Sequence, residues 1–220
     1  SAELGGRVSR ESRLPGLAEW VRVRDYRVLM LERMGNVSIY RENPLGADDI
    51  IEFSAEDQFD YSHVLLANGA TWRRNGLGRL HREPIPGLDK LKVFTPDDIM
   101  DGVLAKGRVV VFDDDHFYMG GVLAEKLRRE GHDVLLVTPA PDISIRTHKT
   151  LEQRKIQIQL MNLGVELATQ TNLTAAETGK VELSCIFTEK KIERVCDSLL
   201  LVTERLPNDG LFKSLNVDSE

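Results

Sequence analysis

Cysteine is scarce in this sequence. Only Cys185 and Cys196 occur in 220 residues, too few for a disulfide-stapled scaffold, so a reducing, cytoplasmic setting is the expectation. Long hydrophobic runs are missing too: none approaches the ~20 apolar residues that a membrane span requires. There is no excess of positive charge. The formal net charge is −6, which speaks against nucleic acid as the main partner. The opening residues, Ser1-Ala2-Glu3-Leu4-Gly5-Gly6, show neither the basic nor the apolar region of a secretory signal. No internal repeat or low-complexity tract is visible. The most local absence is lysine. Residues 1–89 contain twelve Arg and no Lys, whereas residues 90–220 contain ten Lys and seven Arg. Arginine suits bidentate recognition of phosphate and carboxylate, and polar interfaces. Solvated arginines in salt bridges are the first reading of this bias, a dedicated anion or docking surface the second.

What is present reads as α/β, with length for one large domain or two small ones. Trp20, Val23, Val28, Leu31 and Met34 recur at helical spacing over residues 17–34, and Gly35-Asn36 is a stop. A short strand over Val37 to Tyr40 and a brief helix over Ala47 to Phe53 follow. His63 to Ala67 reads as a buried parallel strand ending at Asn68-Gly69. Pro84-Ile85-Pro86-Gly87 is a natural connector and domain boundary. Thr95 then caps a helix that starts at Pro96. Val109 to Phe112, Met119 to Glu130 and Asp133 to Thr138 have the order and length of a βαβ crossover, with Gly131 as the helix cap. A further helix over Thr150 to Asn162 ends at Gly164. Short alternating segments follow at residues 165–168, 181–188, 192–196 and 199–203, the second and third forming a hairpin around Glu189-Lys190-Lys191.

Several stretches resemble one family in its order. They are Gly5-Gly6-Arg7-Val8, Leu14-Pro15-Gly16-Leu17-Ala18-Glu19-Trp20, Arg24-Asp25-Tyr26-Arg27, Leu65 to Trp72, Pro84 to Gly87, Asp115-His116-Phe117-Tyr118-Met119 and Leu201-Val202-Thr203. Together they resemble the C-terminal half of the trimethylamine and dimethylamine dehydrogenases. The resemblance implies two Rossmann-like domains of the FAD/NAD(P)-binding type, arranged as in glutathione reductase, with an antiparallel meander in the second. It divides the chain into a partial FAD/ADP-binding-like domain (1–90), an NAD(P)-binding-like domain (91–203) and a return segment (204–220). It also implies an internal fragment. The opening Gly-rich βαβ unit, a later Gly-Asp segment and the barrel bearing FMN and a 4Fe-4S cluster would lie outside this sequence, which has no cysteine cluster for iron and sulfur. The implied function is an adenine-nucleotide-binding and electron-partner scaffold of an amine-dehydrogenase-like flavin oxidoreductase. Two rivals are an NADPH-binding domain of a dienoyl-CoA reductase-like enzyme and a non-catalytic interaction domain.

Candidate residues for ADP or FAD are Gly5, Gly6, Arg7, Ala67, Asn68, Gly69 and Ala70, although the family usually has Thr or Ser where Asn68 stands. Plain structural turns would use the same glycines. After Val109 to Phe112 a dinucleotide fold wants Gly-x-Gly-x-x-Gly. Here the run is Asp113-Asp114-Asp115-His116-Phe117-Tyr118-Met119-Gly120-Gly121. Like charges at ~4 Å repel by about 1 kcal/mol in water and about 4 near a protein surface, so this turn opposes a pyrophosphate. Helix capping by these carboxylates is the expectation over a metal site, and no metal ligand or catalytic residue is assigned. His63, His81, His132 and His148 read as surface or satisfied-core residues, and the two cysteines as buried small hydrophobes. Trp20, Tyr26 and Arg27 are the candidate docking surface, with core packing of Tyr26 an equal alternative. In the family an electron-transferring flavoprotein would dock there. The missing barrel domain is the other expected partner, a homodimer is open, and neither nucleic acid nor membrane is expected.

Overall fold

Val109-Val110-Val111-Phe112 and Leu199-Leu200-Leu201-Val202 are apolar at every position, the pattern of strands buried on both faces. They form the middle of a parallel sheet. The computed structural model describes residues 2–55 and 63–216. Along the chain come α1 (Arg7–Glu11), α2 (Val21–Glu32), α3 (Ala47–Ala55), β1 (Ala70–Trp72) and β2 (Lys92–Phe94). Next are α4 (Pro96–Met100), β3 (Arg108–Asp113), α5 (Tyr118–Arg129), β4 (Asp133–Val137) and α6 (Gln153–Asn162). The last are β5 (Glu166–Ala168), β6 (Thr171–Glu177), β7 (Lys180–Cys185), β8 (Lys191–Val195), β9 (Ser198–Val202), β10 (Arg205–Pro207) and α7 (Gly210–Asn216). The fold is mixed α/β. Five strands pair in the order β2-β9-β3-β4-β5, all parallel. β6-β7-β8 is an antiparallel meander, and β1 pairs antiparallel with β10. Among the described residues no helix is long and apolar enough to cross a membrane.

Strand side chains alternate between faces, and each face of the parallel sheet has its own cover. Val109, Val111, Leu136, Leu200 and Val202 pack with Leu123 and Leu127 of α5 and Leu160 of α6. Val110, Phe112, Leu135, Val137, Leu199 and Leu201 pack with Leu173, Val181 and Leu183 of the meander. Burial of each such side chain is worth ~1.5–3 kcal/mol. The expected start of α4 is present: Thr95 and Asp98 form a reciprocal capping box, with Pro96 in the first turn. Gly131 and Gly164 follow α5 and α6 with φ of 93° and 73°, the left-handed ends that glycine favours. The Pro84–Gly87 connector is packed rather than free. Ile85 is buried, the Ala176 N–H donates to the Pro86 carbonyl at 2.9 Å, and a Cβ on Gly87 would sit 1.9 Å from the Ala176 oxygen.

Several expected elements differ. Val37 to Tyr40 is not a strand, and the expected buried strand at His63 to Ala67 is largely exposed and forms no strand, with Leu65 93% exposed. An extended run becomes a strand only when a neighbour takes its N–H and C=O groups, and no described strand pairs with either run. β6 is not legible in the sequence because Thr171-Asn172-Leu173-Thr174 carries little apolar alternation. Residues 199–203, grouped above with short alternating segments, supply the fully buried parallel β9 between β2 and β3. The helix expected from Thr150 starts at Gln153, after a 3-10 turn over Ile145–Thr150.

The helix expected over 17–34 forms as a 3-10 turn, Ala18–Trp20, followed by α2. No residue of α2 is buried, and Val23, Tyr26 and Leu29 stay exposed. Burial is therefore concentrated in the parallel sheet and its two covers. Amides of residues 21–55 and 63–69 are expected to exchange at least about 100-fold faster than those of β3, β4 and β9. Hydrogen exchange followed by mass spectrometry at two protein concentrations tests this. Equal protection of both regions in a verified dilute monomer would contradict it, whereas protection that appears only at high concentration would indicate association through α2 and the exposed run at residues 63–69.

Candidate functional site

Turns with positive φ at Gly5 (105°), Gly6 (52°) and Gly69 (72°) are conformations that glycine adopts without Cβ strain. They bring Gly5, Gly6, Arg7, Ala67, Asn68, Gly69 and Ala70 to the wall of one cavity of about 610 Å³, completed by Arg10, Thr71, Asp97, Asp101 and Asn208. A Cβ at Gly6 or Gly69 would meet nothing within 4 Å. The Arg7 guanidinium is already engaged. It donates to the Ala70 carbonyl at 2.9 Å, pairs with Glu11 (3.5 Å) and Asp97 (3.7 Å), and lies 5.9 Å from the Trp72 ring. Arg10 pairs with Asp97 (3.2 Å) and Asp101 (2.6 Å). The cavity thus has a glycine-lined backbone wall, and its two arginines are matched by its two aspartates.

A second constellation follows β3, where the sequence leads one to expect capping carboxylates. The residue before α5 is Phe117, and the helix has no side-chain cap bond. Each carboxylate instead turns to a different partner, because the turn through His116 (φ 67°) folds it back over the end of the sheet. Asp113 accepts hydrogen bonds from the Asp115 (3.2 Å) and His116 (3.0 Å) N–H groups through Oδ1. Its Oδ2 is buried without a partner among the described residues. Asp114 accepts from the Leu80 (3.0 Å) and His81 (2.9 Å) N–H groups and lies 2.9 Å from His116 Nε2. Asp115 pairs with Arg79 at 3.1 Å. Two glycines make room: a Cβ on Gly120 would lie 2.5 Å from Asp113 Cγ, and one on Gly78 2.2 Å from Asp114 Oδ2. The sequence singled out the aspartates. It carried no sign of the partner of Asp114 and Asp115, the segment Gly78–His81, more than thirty residues upstream.

Of the docking candidates, Tyr26 is 61% exposed, which removes its packing alternative, and Arg27 is exposed. Trp20 is partly covered by Tyr118, ring centroids 5.4 Å apart. The Tyr118 hydroxyl donates to Glu11 at 2.7 Å, and burial, then that bond, raises its pKa. Eight of the twelve N-terminal arginines, Arg7, Arg10, Arg13, Arg22, Arg24, Arg73, Arg74 and Arg79, make ion pairs. His81 contacts Asn172 at 3.0 Å and Phe112 edge-on, and His148 lies 3.3 Å from Asp142. The cysteines part company. Cys196 is buried as expected, which pushes its thiol up to about 11, while Cys185 is only half-buried and its pKa is lowered by hydrogen bonding from Thr188.

These environments carry two expectations. Alkylation at neutral pH should modify Cys185 at least about tenfold faster than Cys196. Equal rates, read by peptide mass spectrometry, would show that the sheet does not shield Cys196. The second concerns Asp113, whose pKa burial pushes up to about 7 from 3.8, against the opposing bonds from His116 and Asp115. Between these values the folded protein holds a proton that the unfolded chain has released. The group's contribution to stability is complete below the unfolded pKa and is lost as pH rises through about 7. Asp113→Asn keeps the shape without the titration. Relative to this variant, the native protein should lose a few kcal/mol between pH 4 and 8, because each tenfold difference in proton affinity is worth about 1.4 kcal/mol. Urea unfolding at three pH values reads the difference, and a difference independent of pH would refute the buried proton.

Comparison with known proteins gives a consistent picture. Residues 94–198 match the family described as the OYE-like second alpha/beta domain. The chain is 33% identical to dimethylamine dehydrogenase of Hyphomicrobium sp. (strain x) over 237 aligned positions, covering 96% of this chain and 31% of that protein. Among solved structures, histamine dehydrogenase from Rhizobium sp. 4-9 is 41% identical with a TM-score of 0.94, over 100% of this chain and 33% of that one. The 6-hydroxypseudooxynicotine amine oxidase from Pseudomonas geniculata N1 is 42% identical with a TM-score of 0.93, over 100% and 32%. The chain spans about a third of the length of these relatives. It is therefore homologous, along nearly its whole length, to a segment of the dimethylamine and histamine dehydrogenases.

Proposed function

We propose that this chain is the nucleotide-binding-like and electron-partner scaffold of a longer amine-dehydrogenase-like flavin oxidoreductase. Residues 1–90 form a partial FAD/ADP-binding-like domain, 91–203 an NAD(P)-binding-like domain of Rossmann type, and 204–220 a return segment toward the first. The observation that carries the reading is the common cavity of Gly5, Gly6, Arg7, Ala67, Asn68, Gly69 and Ala70, drawn from two stretches more than sixty residues apart. Glycine backbone beside open space suits an adenine nucleotide. Positive charge not already matched by carboxylate is what the cavity lacks, so ADP or FAD would be held weakly by this chain alone. FMN and a 4Fe-4S cluster belong to the barrel domain expected elsewhere in the longer protein, where the amine would also react. Trp20, in the 3-10 turn before α2, and Tyr26 and Arg27, on α2, lie where no residue is buried, and suit an electron-transferring flavoprotein or the barrel itself.

The rival NADPH-reductase reading meets the Asp113 carboxyl where a pyrophosphate would need to approach Gly120. A buried acid in that position excludes the phosphate by volume, and by charge once ionised. Calorimetric titration separates the readings. ADP and FAD should bind with dissociation constants in the millimolar range or weaker, and the purified chain should be colourless. Stoichiometric bound flavin would overturn the expectation of weak binding. Saturable NADPH binding that is lost in Asp113→Asn and Asp115→Asn would restore the reductase reading.

A further inference from the structure

The chain is acidic overall, at −6, yet one cavity collects arginines. Gly78, Arg79, Arg82, Asp115, Arg146, Thr203, Glu204 and Arg205 line about 390 Å³ at the C-terminal ends of β3 and β9. Both carboxylates there are already paired: Asp115 with Arg79 at 3.1 Å, Glu204 with Arg73 at 3.2 Å. Arg82, Arg146 and Arg205 have no carboxylate partner among the described residues. Three guanidinium groups are held in place by aromatic rings. Arg79 and Arg146 each lie 5.5 Å from the centroid of Phe117, and Arg205 lies 5.1 Å from that of Trp72. The Arg146 backbone is tied in as well, donating to the His116 carbonyl at 3.0 Å. Thr203 is 1% exposed, and its hydroxyl oxygen has no hydrogen-bond partner among the described residues.

We propose that this cavity is a binding site for a small phosphate-bearing anion of pyrophosphate size. Several unneutralised guanidinium forks converging on one space match phosphate oxygens, and charge-assisted bonds of this kind are the strong ones. Stacking fixes the arginines beforehand, which lowers the ordering cost of binding. An unpaired buried hydroxyl costs stability unless something meets it, and an anion in the cavity would accept a hydrogen bond from it. The position, outside the carboxyl ends of parallel strands, is where open α/β sheets bind ligands. The occupant is small because the Asp113–Asp115 turn borders the site and denies a dinucleotide the path over the sheet. The contrast with the cavity around Gly69, where arginines and aspartates balance, is one of net charge. The inference is independent of the nucleotide reading of that other cavity.

The test is calorimetric titration of the intact chain with inorganic pyrophosphate at low ionic strength. Saturable binding with a stoichiometry near one and a submillimolar dissociation constant is expected. Arg146→Ala and Arg205→Ala should each weaken it by about tenfold or more, the scale of one charged hydrogen-bond pair. Thr203→Val, nearly isosteric, should weaken it severalfold. Arg22→Ala, which removes one exposed positive charge outside both cavities, should leave it unchanged, and ADP titration of the Arg146 and Arg205 variants keeps failure here distinguishable from failure of the nucleotide reading. Absence of saturation at about 10 mM pyrophosphate, or an equal loss in Arg22→Ala, would overturn the proposal. Tighter binding of a short poly-glutamate peptide than of pyrophosphate would overturn it too, and would make the cavity a docking surface for an acidic protein segment.

Discussion

The fully buried carboxylate of Asp114 joins the two ends of this structure. It sits beyond the last residue of β3 and receives the N–H groups of Leu80 and His81. A buried carboxylate that loses such donors leaves an uncompensated charge, at a cost of several kcal/mol. The loop at residues 78–81 is therefore bound to the end of the parallel sheet. Everything nearby conforms to that bond: Gly78 lacks a side chain so that Asp114 fits, Gly120 lacks one so that Asp113 fits, and His116 accepts a left-handed backbone. A turn that could have opened toward a pyrophosphate is closed by protein groups instead.

The same clamp organises charge. Asp115 takes Arg79, and the turn presents Phe117 as a ring to both Arg79 and Arg146. Acidic residues at the strand end thus arrange basic ones around a neighbouring cavity. On the far side of Trp72, Arg7 and Arg10 are consumed by Glu11, Asp97 and Asp101. Two arginine-lined cavities in one chain differ in electrostatic character, and the difference comes from partners rather than from composition.

Energetically the molecule is uneven. The parallel sheet is covered by helices on one face and by the meander on the other, with strand interiors at or near zero exposure. Residues 21–46 and 63–69 hold large apolar side chains in the open. Such surface normally meets a partner. Homology to chains about three times as long is consistent with contacts supplied from outside this segment.

The sequence by itself determined the local events whose cause lies within a few residues. Thr95-Pro96 with Asp98 starts a helix, Gly131 and Gly164 end two, and the uninterrupted apolar run Val109 to Phe112 makes a buried strand. It also marked Gly5-Gly6 and Asn68-Gly69 as turns and Asp113–Asp115 as unusual. Only the tertiary structure decided what those features meet. Val64 to Ala67 reads as a strand but is none here, because strand formation depends on a neighbour that the local pattern does not encode. Thr171 to Glu177 gives no clear strand signal but is a strand, because β7 supplies the ladder. Asp114 and Asp115 read as helix caps, yet they bind Leu80, His81 and Arg79, more than thirty residues upstream. Arg79, Arg146 and Arg205 carry no common motif at all; chain folding alone brings them to one cavity. Hydrogen bonds and ion pairs act over a few ångströms in space, and sequence distance says little about that.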